Sequence, residues 1–205
     1  MTEEKDVIKI LQKKLNFTSK SISNLKLFVS ELLKANKKHN YISKSTERVI
    51  WYRHILDSAQ LVKFINFTNG SLSDLGSGAG FPGLILAIFN ENKDFHVKLY
   101  EKSPVKRAFL METSKKLALN VEICGNIYDQ IIDTNYIVCR AFKKFDTIIQ
   151  VSREIVKKPH KLIVLKGQNA HEELNKAFKN KKYPYKLEES ITNNGSKIVI
   201  VNIRS

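Results

Sequence analysis

Through residues 1–67 the apolar positions recur at helical spacing. Leu25, Leu27, Phe28, Leu32 and Leu33 fall on one face, and Ile50, Ile55, Leu61, Val62 and Ile65 form another, so this stretch is predicted to be helical. Thr68-Asn69-Gly70-Ser71 breaks the pattern. Beyond it, strand-like and helix-like runs alternate. The expected elements are a strand running into Asp74, helix 82–90, strand 96–101, helix 104–118 and strand 120–124, followed by strand 136–140, helix 146–157, strand 161–166 and helix 170–181. Segments 185–191 and 197–203 flank Thr192-Asn193-Asn194-Gly195-Ser196 and read as a hairpin. Such alternation implies an α/β fold whose parallel sheet is covered on both faces, with an antiparallel strand added by the hairpin. One element fits poorly: Ser71-Leu72-Ser73-Asp74 is very polar for a core strand.

The chemistry concentrates just after that strand, in Asp74-Leu75-Gly76-Ser77-Gly78-Ala79-Gly80-Phe81-Pro82-Gly83, which runs directly into Leu84-Ile85-Leu86-Ala87-Ile88. Glycines at alternate positions allow a tight strand-to-helix turn and let a ligand approach bare backbone. Pro82 suits a first helical turn, and the helix start offers free N–H groups with a positive dipole end. A P-loop is excluded, because Leu84-Ile85 follows Gly83 where lysine and a hydroxyl residue are required. Gly78 to Gly83 spells the dinucleotide fingerprint G-x-G-x-x-G. Asp74 to Gly80, however, reads D-x-G-x-G-x-G, which resembles the first motif of Rossmann-like S-adenosylmethionine (SAM) methyltransferases. Glu101 ends the next expected strand, 21 positions after Gly80. A carboxylate there can bind a ribose diol of either cofactor, or it can be a solvated strand end.

Composition narrows the picture further. A chain of 205 residues with 42% hydrophobic content supports one ordinary core, read as residues 68–205 with a helical extension at 1–67 packed on it. No apolar run approaches a membrane span, and the first residues lack a signal peptide's features. Cys124 and Cys139 are too few for a disulfide framework or a cysteine-rich metal site, so a cytoplasmic protein without a metal is expected. The net charge of +15 suggests a polyanionic partner, and nucleic acid is favoured. Part of that charge is compositional, since 29 lysines stand against 6 arginines.

Several local strings resemble one family. They are Asn40, the block Arg53-His54-Ile55-Leu56-Asp57-Ser58, the glycine loop, and Glu101-Lys102-Ser103 with Lys106-Arg107 and Phe109-Leu110. Arg140-Ala141-Phe142 and Leu165-Lys166-Gly167-Gln168 complete the set, which spans residues 36–168 in order. These blocks resemble the RsmG (GidB) family, which methylates N7 of a guanine in 16S ribosomal RNA. The resemblance implies a Rossmann-like, mostly parallel seven-stranded sheet with SAM as cofactor. It implies that Gly76, Gly78 and Gly80 pass the methionine and ribose portions, that Phe81 lies beside the cofactor, and that Glu101 binds the ribose. Ile127 and Tyr128 fall where the family contacts adenine, and Arg140 matches its cofactor-contacting arginine. The family usually has a small residue and an acid at 127–128, so here only backbone contacts to adenine would remain. The implied partner is 16S rRNA or the small ribosomal subunit, and a monomer is expected.

The scarce arginines Arg53, Arg107 and Arg140 all fall inside the matched blocks, where a planar fork serves phosphate or carboxylate better than lysine. An ordinary i,i+4 pair of Arg53 with Asp57 is the plain alternative. His54 reads equally as a packed helix residue or a functional one. The RNA-facing candidates are Arg53, His54, Lys102, Lys106, Arg107 and Lys166. No amino-methylation string of the [ND]-P-P-[YF] type follows the fourth strand, and neither cysteine is preceded by proline. Guanine N7 needs no base, and no catalytic acid–base residue is assigned. Other readings are methylation of a different RNA or a ribosomal protein, a non-catalytic RNA-binding assembly factor, and a nicotinamide dehydrogenase.

Overall fold

A computed structural model describes residues 2–178 and 183–204. The N-terminal region is helical, in order α1 (Thr2–Leu15), α2 (Ser19–Asn36), α3 (Lys44–Glu47), a π-helix (Trp51–Leu56), α4 (Asp57–Ala59) and a 3-10 turn (Gln60–Phe64). Thr18 caps α2 by accepting the Ser21 N–H at 3.1 Å. The buried face of α2 is Leu25, Phe28, Val29, Leu32 and Asn36. Leu27, expected on that face, is 41% exposed. It lies about 200° round the helix from Leu25, and Val29 takes the inward position.

The remaining elements are β1 (Gly70–Leu75), α5 (Gly83–Phe89), β2 (Phe95–Tyr100), α6 (Pro104–Lys116), β3 (Val121–Cys124), a 3-10 turn (Ile127–Asp129) and β4 (Tyr136–Arg140). Then come α7 (Phe145–Ile155), β5 (His160–Lys166), α8 (Ala170–Phe178), β6 (Tyr185–Glu189) and β7 (Lys197–Ile203). The helix expected to reach 181 is seen to Phe178, and 179–181 lie outside the described residues. Seven strands form one sheet in the order β3-β2-β1-β4-β5-β7-β6. The first five strands pair in parallel, and β7 is antiparallel to both β5 and β6.

The polar strand β1 occupies the middle of this sheet, flanked by β2 and β4. Both neighbours satisfy its backbone. Leu72 and Leu75 enter the apolar layers, Ser73 is small, and the Asp74 side chain accepts the Gly83 amide at the start of α5. Alternation along the strands divides the core. Ile163 and Leu165 of β5 join the layer that contains Leu25, Phe28, Ile55, Leu72 and Leu84. Leu162 and Val164 join the opposite layer with Phe145, Ile148, Val199 and Val201. The N-terminal helices thus share one apolar layer with α5 and the sheet. Because β1 lies at the reversal of strand order, the crevice at the carboxyl ends of β1 and β4 is where an open α/β sheet receives a ligand. No helix among the described residues is long and apolar enough to cross a membrane.

Candidate cofactor cleft and nucleic-acid face

A cleft of about 610 Å³ opens at that crevice. Its floor is the turn after β1, where the Gly76 and Ser77 amides donate to the Tyr100 carbonyl at 2.9 and 3.0 Å. Gly80 and Phe81 amides close the turn onto the Ser77 carbonyl. Gly76 and Gly78 have φ of +75° and +57°. A Cβ on Gly76 would come within 2.6 Å of the Phe142 ring, whereas one on Gly78 would enter open space, with only the Gly76 carbonyl at 3.8 Å. Gly76 is therefore required by the fold, and Gly78 keeps the cleft clear.

Glu101 stands at the end of β2, buried and facing this floor. One carboxylate oxygen accepts the Gly78 amide and the other the Ser103 amide, each at 2.8 Å. Arg107 secures the same strand end, since its Nη1 donates to the carbonyls of Glu101 and Lys102 at 2.9 and 2.8 Å. Beneath the turn, Oδ2 of Asp74 accepts the Gly83 amide at 2.9 Å. Gly83 approaches so closely that a Cβ would lie 2.4 Å from Leu99 Cδ2 and 2.6 Å from Asp74 Cβ. Asp74 is fully buried, and that burial pushes its carboxyl up to about 7.

The far wall is built around Arg140, at the end of β4. Its Nη2 lies 2.7 Å from Nδ1 of His54, and Nη1 donates to the Arg53 carbonyl at 3.1 Å and to Asp57 Oδ2 at 3.4 Å. The guanidinium also sits over the Phe81 ring, 4.9 Å from its centroid, and His54 stacks on Phe81 at 4.9 Å. Desolvation, then the charges of Arg140 and Arg53, lowers the His54 pKa to about 3. The imidazole is neutral, with its proton assigned to Nε2 because Nδ1 must accept. Asp57 continues the network into the C-terminal hairpin, taking hydrogen bonds from Gln60 Nε2 at 3.1 Å and Thr192 Oγ1 at 2.8 Å.

The outer rim carries Tyr41, Ile42, Ser43 and Thr46. Buried Asn36 holds this segment: its Oδ1 accepts the Tyr41 and Ile42 amides at 2.7 and 2.9 Å, and its Nδ2 donates to the Ile42 carbonyl and to Glu47.

The GidB family, described as rRNA small subunit methyltransferase G, matches residues 21–199. The Ribosomal RNA small subunit methyltransferase G of Pelagibacter ubique is 35% identical over 200 residues, covering 95% of this chain and 93% of that protein. The protein of the same name from Rickettsia typhi is 37% identical over 185 residues, covering 90% and 95%. The chain belongs to the rRNA small subunit methyltransferase G family. Among solved structures, a SAM-dependent methyltransferase from Aquifex aeolicus superposes with a TM-score of 0.59 at 13% identity, covering 85% of this chain and 97% of the other. M. jannaschii TYW2 in complex with AdoMet gives 0.53 at 19%, covering 73% and 74%. These two likenesses concern the fold, which is the Rossmann-like methyltransferase sheet.

As a member of this family the protein is a methyltransferase that takes its methyl group from SAM. The cleft fits that cofactor. Gly78 leaves open space where any side chain would stand. Each oxygen of Glu101 holds a single amide here and keeps a lone pair free to accept a further hydrogen bond.

Gly76, Gly78, Phe81, Glu101 and Arg140 all line the cleft, and Gly80, φ +101°, closes its turn. Ile127 and Tyr128 form the turn after β3, at the same sheet edge but outside the cleft lining. Ile127 is buried among apolar residues, while Tyr128 is exposed, 5.3 Å from Lys143 Nζ. Of the RNA candidates, Arg53, His54, Lys106 and Lys166 line the cleft, and Lys102 is exposed. His54 is buried against Arg140, and Arg107 is spent on backbone carbonyls. Lys166 donates to Glu173 at 2.7 Å and to the Lys143 carbonyl at 2.9 Å. Asp57 pairs with Arg140 instead of Arg53. The sequence reading missed the clamp residue Asn36 and the Asp57–Thr192 tie. Near the rim the sequence singled out only Asn40.

Proposed function

We propose that the protein methylates N7 of a guanine in 16S ribosomal RNA, acting as a monomer whose residues 1–67 ride as an extension on a core of 68–205. The single observation that carries this reading is the family match across residues 21–199, coinciding with an intact glycine turn and Glu101. When bound, SAM supplies an electrophilic methyl on its sulfonium. Gly76, Gly78 and Gly80 give the cofactor bare backbone, Glu101 its ribose contact, and Phe81 with Arg140 the opposite wall. Ile127 and Tyr128 are assigned backbone contacts to the adenine.

Guanine N7 bears a free in-plane lone pair, so no proton has to leave it. Three titratable groups of the cleft, His54, Asp57 and Glu173, are already committed, which suits such a reaction. His54 is neutral with Nδ1 engaged, Asp57 receives Arg140, Gln60 and Thr192, and Glu173 holds Lys166. Rate enhancement then rests on holding the base in line with the methyl group.

The test is to incubate the protein with methyl-labelled SAM and either small ribosomal subunits or naked 16S RNA. Borohydride reduction and aniline treatment then cut the RNA at N7-methylguanine. Label at one guanine with chain scission there is expected. Label on a ribosomal protein, or on RNA that resists scission, overturns the reading.

A further inference from the structure

We propose that the segment joining α2 to the π-helix, residues 37–48, is the lip on which the RNA backbone docks; this rests on the RNA reading above. The segment carries Lys37, Lys38, His39, Lys44 and Arg48 against one acid, Glu47. That acid is turned away, 2.5 Å from Asn36 Nδ2. Lys37, Lys38, Lys44 and Arg48 are all exposed and make no ion pair among the described residues. Elsewhere among the described residues some lysines are paired and others, such as Lys63, Lys93 and Lys157, are not; the lip differs in gathering four unpaired cations in one short segment beside the cleft. Lys98 pairs with Glu122, Lys116 with Glu31 and Glu112, and Lys166 with Glu173.

The lip is also held in place. Asn36 binds it through four hydrogen bonds, and the Tyr41 ring packs 4.7 Å from Phe109. Its inner side, Tyr41 to Thr46, is the rim of the cofactor cleft. Uncompensated cations are therefore fixed beside the opening through which the reacting base must enter. Lysine ammonium groups act as point charges and suit phosphates of variable direction, which position a nucleic acid without reading its sequence. Lys106, on the same cleft, extends the basic rim.

The experiment compares two full-length triple variants of equal net charge. One is Lys37→Gln/Lys38→Gln/Lys44→Gln. The control, Lys63→Gln/Lys93→Gln/Lys157→Gln, removes exposed lysines near the amino ends of the parallel strands, across the sheet from the cleft. Binding to naked 16S RNA is measured by filter retention across a salt series, beside SAM affinity by calorimetry. The lip variant is expected to lose roughly tenfold or more in RNA affinity, with a log–log salt slope shallower by about two units. Its SAM affinity stays within about twofold, and the control keeps the wild-type slope. An unchanged slope in the lip variant, equal flattening in the control, or no wild-type binding to naked RNA overturns the proposal. So does a loss seen on assembled subunits but absent on naked RNA, which would assign the lip to a ribosomal protein. Wild-type protein that binds RNA through the lip yet labels no guanine leaves the docking surface standing and removes the substrate assignment.

Discussion

Nη2 of Arg140 lies 2.7 Å from Nδ1 of His54, a residue 86 positions earlier in the chain. A guanidinium has only donors, so this contact defines the imidazole as an acceptor and keeps it neutral. The arrangement converts a titratable residue into a fixed support for the arginine that lines the far wall of the cleft.

That support has a pH signature. An unfolded histidine titrates near 6.5, and His54 in the folded chain near about 3. Between those values the unfolded chain binds a proton that the native chain refuses. Stability is thus lost as pH falls from 6.5 toward 3, by at most about 1.4 kcal/mol per pH unit. His54→Gln keeps an acceptor for Arg140 without the titration. Denaturant melts at descending pH should show a shallower loss in the variant than in the wild type. Parallel curves would mean that His54 does not sit neutral against Arg140.

Asp74 has the opposite sign. Its carboxyl is raised from 3.8 to about 7, so its contribution is complete below 3.8 and is lost as pH rises to about 7. Asp74→Asn retains an acceptor for the Gly83 amide and should flatten stability across that window. Asp74→Ala leaves that amide buried without a partner and should cost about 1–3 kcal/mol. The comparison is made by chemical unfolding at several pH values, and equal stability of Asn and Ala variants would contradict it.

For the cofactor turn, Gly78→Ala fits the protein but places a methyl group in the cleft at φ +57°. The strain is about 1–2 kcal/mol, so the variant should fold while binding SAM poorly. Glu101→Ala should weaken SAM and S-adenosylhomocysteine together by roughly 5- to 150-fold. Calorimetry on both variants decides; affinities within twofold of wild type would empty the cleft of its assigned role.

Two arginines from neighbouring blocks should behave differently. Arg107 tethers the carbonyls of Glu101 and Lys102, so Arg107→Ala should lower SAM affinity and RNA methylation in proportion. Arg53 is exposed at the cleft, and its side chain has no ion pair among the described residues. Arg53→Ala should reduce RNA methylation alone. A SAM affinity that survives Arg107→Ala intact would return that residue to the RNA face.

Much of this molecule could be read along the chain because the constraints are local. Alternate glycines from Gly76 to Gly80 mark a turn whose φ values are positive, and the spacing to Glu101 brings one carboxylate to the next strand end. Periodicity placed the strands and helices to within a few residues. It failed at Leu27, where two adjacent faces both carried leucines, and it undervalued β1, whose place in the sheet comes from strand pairing instead of side-chain apolarity.

The chain alone determined the sheet-and-helix order, the glycine turn, the carboxylate at the next strand end and the excess of positive charge. Only the tertiary structure decided which of those charges are free. Lys166 is paired with Glu173, Arg107 is held by backbone carbonyls, and Arg140 donates to His54 and pairs with an Asp57 that also accepts from Thr192, 135 residues away. Backbone geometry and amphipathic period act between neighbours in sequence. A hydrogen bond or ion pair acts over about 3 Å between whatever groups folding brings together, and no local pattern records that partner.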